Sequence, residues 1–396
     1  MEKMQSSGRP VVLGVDRLEK GMLKGKGIAL VANQTSLTSE LEPTVERITS
    51  LKGEKAGVAI LSPEHGYYGA AMEGERVPNA KDERANSIIY SLYGDTRKPT
   101  DDMLEGVKAI VYDLQDVGSR FYTYVTTMRL CIEAAAEKGL RFMVLDRPNP
   151  INGIQTEGPV LEEELSSFVG SIQVPIRYGL TSGELAKLIN EEDGYKVELV
   201  VVEMRGWERQ MWFDETGFSW VPPSPNMPTP ETSLLYVGMC LFEGTNISEG
   251  RGTTAPFHLI GAPWIEEDNL TRDLNRIGLP GVKFSPMRFK PATSKYAGEI
   301  CRGVYINVIE RSAFRPFDVA VHMLAKLAAS YEEFQWIKVN SGRYYVDLLA
   351  GTSNVRESAQ KGDAVETLKR VRTESEAFLE LGKEYWIYGK DMSGGP

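Results

Sequence analysis

Histidine and cysteine are scarce, at three residues each in 396. The cysteines, Cys131, Cys240 and Cys301, are odd in number, widely spaced and set in apolar segments. They exclude a disulfide framework, give no zinc-ligand spacing, and read as reduced core residues. Positive charge is also in deficit: 55 carboxylates against 45 Lys and Arg leave a net charge of -10. That balance argues against a nucleic-acid partner but leaves room for a small anionic ligand held by a few arginines. No run reaches the ~18 apolar residues of a membrane span, and the start, "MEKMQSSGRP", lacks the apolar centre of a secretory leader. As given, the chain is expected to be cytoplasmic, or secreted if a leader has been removed. No Gly-x-Gly-x-x-Gly follows the first candidate strand, where "VANQTSLT" stands instead, and no P-loop occurs. Dinucleotide and nucleotide-phosphate chemistry are therefore set aside, and no cofactor is expected.

What is present alternates. Short β-branched runs, "GIALVANQ", "GVAILSPEH", "SIIYSLYG", "AIVYDLQD", "FMVLDRPNP" and "VELVVVEM", are separated by amphipathic segments such as "EPTVERITSL", "TYVTTMRLCIEAAAEKG" and "TSGELAKLINEE". This pattern predicts an α/β domain built on a Rossmann-like, mostly parallel sheet. Thr181 followed by Glu184 has capping-box spacing, and Gly139 is placed to end its helix. "WVPPSPNMPTPE" (220–231) carries five prolines and marks the boundary between two domains, expected over 8–222 and 228–396. After it, Thr229, Pro230 and Glu231 open a helix. Strands "GVKFSP" and "RGVYINVIE" and helices "FDVAVHMLAKLAASYEE" and "DAVETLKRVRTESEAFLELG" then suggest a smaller α+β C-terminal domain.

The strand ends are polar: Asn33 and Gln34; Glu64 and His65; Asp113, Gln115 and Asp116; Asp146, Arg147 and Asn149. In a parallel sheet these termini share one edge, outside which open α/β sheets bind ligands. Glu64, beside His65 and partly desolvated by Tyr67 and Tyr68, is the candidate general acid. "YDLQDVGSRFYTY" adds Asp113, Asp116, Arg120, Tyr122 and Tyr124. A second carboxylate near an acid is the minimum for glycoside hydrolysis, and aromatic rings offer flat faces to sugar C–H surfaces. Asp, His and Glu could equally gather a metal, although no second histidine lies at ligand spacing near His65 and no metal is expected. The loop "LFEGTNISEGRGTTAPF" carries Glu243, Asn246, Ser248, Glu249 and Arg251. "PSPNMPT" fixes Asn226 between prolines, pre-organised for a ligand hydrogen bond.

These segments, with "LVANQTSL", "SPEHGYYG", "YSLYG", "LDRPNPINGIQTEGP", "GLTSGELA" and "GAPW", occur in an order that resembles the exo-acting β-N-acetylmuramidases of bacterial peptidoglycan recycling. The likeness runs from about Val12 to Trp264 and continues more faintly to the C-terminus. It implies release of N-acetylmuramic acid from non-reducing ends of peptidoglycan-derived saccharides or muropeptides, in a cleft between a Rossmann-like and a smaller domain. The Glu of "PEHG" corresponds to Glu64, the expected catalytic acid. Asp116 is the expected second carboxylate, with Asp113 and Glu249 competing, and His65 orients a group or binds substrate. The sugar's lactyl carboxylate calls for arginines, for which Arg120, Arg147 and Arg251 are the candidates. Asn33, Gln34, Asn226 and Asn246 are assigned to hydroxyl and acetamido groups, and Tyr122 to the substrate. The alternatives are a metal-assisted hydrolase using Glu64, His65, Asp113 and Asp116, and a non-catalytic two-domain sugar-binding protein.

Overall fold

The structure, a computed structural model, describes residues 11–23, 27–53, 58–82, 87–362 and 364–389. All six expected strands form. With one short addition they make a seven-stranded sheet: β1 (Ile28–Ala32), β2 (Val58–Ser62), β3 (Ala80–Asp82), β4 (Ser87–Ser91), β5 (Ala109–Asp113), β6 (Arg141–Leu145) and β7 (Leu199–Val202). Their order is β3-β4-β2-β1-β5-β6-β7. Every pairing is parallel except that of β3, an edge strand unforeseen in the sequence, which runs antiparallel to β4.

The apolar runs of β1, β2, β5 and β6 are continuous because these central parallel strands are buried on both faces. Side chains alternate across a strand, so β1 sends Ala29 and Val31 into one core and Ile28, Leu30 and Ala32 into another. On the first face lie α2 (Tyr124–Lys138) and α3 (Ser182–Glu192); on the second lie α1 (Thr44–Lys52) and the segment around Leu13 to Leu23. The predicted caps form. Thr181 and Glu184 make a capping box, and Gly139 ends α2 at φ 62°.

Past the proline-rich segment, α4 (Pro230–Met239) begins with Thr229 accepting from the Thr232 amide. A smaller antiparallel sheet follows, ordered β8-β10-β9, from β8 (Leu259–Ala262), β9 (Val282–Phe289) and β10 (Cys301–Val308), with α5 (Glu267–Ile277) packed on β9 and β10. Helices α6 (Pro316–Ser330), α7 (Tyr345–Ala350), α8 (Asn354–Gln360) and α9 (Val365–Gly382) complete it. The observed architecture is thus a large, mostly parallel sheet flanked by helices, plus a smaller part with a three-stranded antiparallel sheet.

Several junctions tie the parts. Thr156 donates to the Ser375 carbonyl, and Arg311 pairs with Asp214 and Glu215. Arg120, fully buried, donates to the carbonyls of Pro159 and Val174 on one side and of Leu349 and Ala350, at the end of α7, on the other. The C-terminal turn returns to the large sheet: the Tyr388 hydroxyl donates to Asp146 at 2.6 Å, and the Ile387 amide to Glu184 at 2.8 Å. No helix among the described residues is long and apolar enough to cross a membrane.

Candidate active site

The carboxyl end of β2 turns sharply at Glu64, because His65 and Gly66 both take left-handed backbone, φ 71° and 75°. A non-glycine residue there is strained, a feature that gathers at functional sites. The turn sends Glu64 into a cleft of about 220 Å³ and leaves it 7% exposed. Its oxygens are held from two directions. Oε2 accepts from the Thr123 hydroxyl at 2.6 Å, just before α2, and Oε1 accepts from the Gly74 amide at 2.9 Å. Gly74 presents that amide from φ 72°, a conformation suited to glycine. Tyr93, beyond β4, lines the cleft with Glu64; burial first, then the Glu64 charge, pushes its hydroxyl up to about 12, so it remains a donor.

His65 lies beside this carboxylate with Nδ1 at 2.9 Å from the Ala71 carbonyl. A carbonyl only accepts, so Nδ1 carries the hydrogen and Nε2 is left as the acceptor in the neutral ring. Burial pulls the His65 pKa down; Glu64 opposes it only in part.

The remaining walls come from both parts of the molecule. Phe121, Tyr122, Tyr236 and Phe257 form an edge-to-face chain, with ring centroids 5.0 Å apart for Phe121–Tyr236 and 4.9 Å for Tyr236–Phe257. Tyr345 and Phe168 add further faces, and Asn226 lines the rim, donating to Glu73 at 3.0 Å. The carboxylates that share the cleft with Glu64 are Glu73 and Glu243. Arg251 sits among acids: 2.6 Å from Glu243, 3.3 Å from Glu249 and 3.5 Å from Glu73. Burial opposes its charge, but these three carboxylates outweigh burial and hold its pKa well above the ordinary value.

Of the residues singled out in the sequence, Glu64, His65, Tyr122, Asn226, Glu243 and Arg251 line this cleft. The others do not. Asp113 is fully buried in a pair with Arg147, whose Nε lies 2.5 Å from Oδ1 and Nη2 3.0 Å from Oδ2, and it also accepts from Thr44. Arg147 further donates to the Leu37 carbonyl. Asp116, expected as second carboxylate, accepts from Tyr178 and from the Gly118 amide at 2.9 Å, away from the cleft walls. Burial raises it to about 7. Arg120 is the carbonyl hub described above, its pKa drawn down to about 9 by burial. Asn33 bonds Tyr124 and its own turn, Gln34 the Pro222 carbonyl, and Asn246 the backbone at Glu333 and Gln335. Glu249 stands behind Arg251, 2.9 Å from Lys295. Each of these polar groups already has an intramolecular partner.

Sequence reasoning missed Glu73, Gly74, Tyr93, Thr123, Phe168 and Tyr345. The one local signal was "AMEGE", an acid beside a glycine ten residues past Glu64 in the same connection. The metal reading loses its ligand set, since Asp113 and Asp116 do not join Glu64 and His65, and no cluster of three or more His, Cys, Asp or Glu suited to a metal occurs among the described residues.

Comparison with known proteins adds a second line. Residues 28–231 match the family described as "Exo-beta-N-acetylmuramidase NamZ, N-terminal", and residues 234–388 match its "C-terminal" counterpart. The peptidoglycan beta-N-acetylmuramidase NamZ of Bacillus subtilis (strain 168) is 42% identical over 392 residues, 98% of this chain and 94% of that protein. Two crystal structures of DUF1343 family proteins from Bacteroides fragilis NCTC 9343 are similar. One has TM-score 0.88 and 33% identity, covering 96% of this chain and 99% of that one; the other has TM-score 0.73 and 27% identity, covering 97% and 100%.

Proposed function

Because this chain belongs to the exo-β-N-acetylmuramidase NamZ family, glycoside hydrolases, we propose that it cleaves the bond to a terminal, non-reducing N-acetylmuramic acid in peptidoglycan-derived saccharides, with Glu64 as proton donor. The observation that carries the assignment is the placement of Glu64: a nearly buried carboxyl in an aromatic-walled cleft, fixed by Thr123 and Gly74 from separate elements. Fixing both oxygens removes rotational freedom before the substrate arrives, so the proton is delivered along one direction.

The bond between the anomeric carbon and the leaving oxygen breaks as that oxygen takes the proton of Glu64 and positive charge develops at the anomeric carbon; a water molecule then supplies the oxygen that bonds to that carbon, and the proton it releases replaces the one Glu64 gave up. Two further carboxylates, Glu73 and Glu243, favour that charge electrostatically. Glu243 is paired closely with Arg251, whereas Glu73 is the more exposed and the less tightly held. We assign Glu73 as the carboxylate opposing Glu64, in place of Asp116. The rings of Tyr122, Tyr236 and Phe257 support stacking against the sugar's apolar face, and Asn226 is offered to its acetamido or hydroxyl groups.

Incubation with a N-acetylmuramic acid-capped disaccharide, followed by mass spectrometry, tests this reading. Free N-acetylmuramic acid is expected, unaffected by chelator. Saccharide bound without product over long incubation refutes hydrolysis and favours a binding protein.

A further inference from the structure

Every arginine assigned to the lactyl carboxylate from sequence is already paired. Arg120 serves four carbonyls, Arg147 serves Asp113, and Arg251 is surrounded by three carboxylates. With Glu64 neutral as the acid, Glu73 and Glu243 still line the cleft and Arg251 is outnumbered by the carboxylates around it, so the cleft repels a carboxylate and the lactyl group needs a cation at the rim. Arg97 stands there. Its guanidinium carbon lies 4.0 Å from the ring centroid of Tyr93 and 4.0 Å from that of Phe168, two rings that line the cleft. The rings are tilted at 53° with centroids 5.8 Å apart, making a wedge that the guanidinium fills. Arg97 is exposed, and no carboxylate among the described residues pairs with it.

From this we infer that Arg97 is the specificity residue that reads the free lactyl carboxylate of N-acetylmuramic acid, an inference that rests on the hydrolase reading above. The geometry relates it directly to the reacting bond. Tyr93 lines the same cleft as Glu64 and carries Arg97 on its face, so the cation lies one aromatic ring behind the wall of the cleft that holds the catalytic carboxyl. The lactyl ether is on the same pyranose ring as the scissile bond, so a sugar seated against Glu64 carries it no more than a ring's width from that bond. Stacking on two faces pre-orients the planar fork, which leaves its N–H edge for a bidentate carboxylate contact at little further entropic cost. A lactyl group amidated by a peptide stem lacks that charge, so peptide-free saccharides are the preferred substrates.

The test compares wild type, Arg97→Gln and Arg97→Lys by two readouts. Calorimetry measures affinity for N-acetylmuramic acid and for its lactyl amide; kinetics measure turnover of a chromogenic β-N-acetylmuramide. Wild type is expected to bind the acid about tenfold tighter than the amide. Arg97→Gln brings that ratio near one and lowers kcat/KM by a similar factor, chiefly through KM. Arg97→Lys, which keeps the charge but loses the fork and stacking, recovers only part. A ratio unchanged in Arg97→Gln, or a wild type indifferent between acid and amide, overturns the inference. Wild type that binds selectively without turning over the glycoside refutes the hydrolase reading alone and leaves the role of Arg97 standing.

Discussion

Replacing Glu64 by Gln is the perturbation on which the mechanism depends most directly. The structure implies that the change is nearly silent for folding. Glu64 Oε1 accepts from Gly74, and Oε2 accepts from Thr123, whose hydroxyl can equally act as acceptor. A Gln amide therefore fits, with its oxygen toward Gly74 and its NH₂ toward Thr123, and no buried polar atom loses a partner. What disappears is the transferable proton. General acid catalysis contributes about 10²–10⁴ in rate, or about 3–5 kcal/mol of barrier. The assay should use two substrates in parallel, the disaccharide and a nitrophenyl glycoside. Nitrophenolate departs with little protonation, so an acid role predicts a much larger loss of kcat on the disaccharide. Equal losses on both would move Glu64 from proton donor to nucleophile, and wild-type turnover of the disaccharide with an unchanged melting temperature would remove it from the chemistry.

Three further outcomes follow from the surrounding residues. Gly74→Ala, which forces a side chain to φ 72° where nothing lies within 4 Å of the added carbon, is expected to cost about 1 kcal/mol in stability and to lower kcat more than it raises KM; unchanged kcat contradicts the role of its amide. Asp113→Asn leaves Arg147 charged, buried and without its carboxylate, and should destabilise by about 3–5 kcal/mol in chemical denaturation while folded protein turns over normally. A protein of full stability that lacks activity would instead return Asp113 to the reacting centre. For Asp116, burial raises the folded pKa from 3.8 to about 7, so the neutral native carboxyl stabilises at low pH and that contribution is lost as pH rises between those values. Asp116→Asn, permanently neutral, should therefore gain in melting temperature relative to wild type on going from about pH 5 to about pH 8, and a flat difference contradicts the shift.

The four central strands, β1, β2, β5 and β6, were legible because burial on both faces leaves no polar alternation to misread, β4 and β7 because their runs are β-branched, and Thr181, Gly139 and Thr229 marked helix ends through purely local chemistry. Less local elements escaped. β8 is four residues long, and α5 shows few apolar residues in a charged segment, with Leu270 and Leu274 as its buried stripe. At the site, Glu64 followed from two signals, its place where a parallel strand ends on the binding edge and the resemblance of its "PEHG" motif to the muramidase family. The arginines did not, because a guanidinium that serves backbone carbonyls, as Arg120 does, has the same sequence appearance as one that serves a ligand. Tyr93 and Phe168 come from loops and Tyr345 from the first turn of α7, far apart in the chain, and only the folded molecule brings them together.

The return of Tyr388 to Asp146 bears on how the protein is made. Asp146 ends β6 and accepts from the Gly183 amide, the Thr181 hydroxyl and the Tyr388 hydroxyl, while Trp207 packs edge-on against the Tyr388 ring at 5.1 Å. During synthesis the sheet emerges from the ribosome long before residue 388 does, so the nascent chain must hold a partly capped carboxylate and an uncovered indole while some two hundred further residues are added. The turn at Ile387 and Tyr388 acts as a latch that closes after the sheet has formed. Tyr388→Ala would thus be felt in folding yield well before it was felt in turnover, at residues that do not line the cleft.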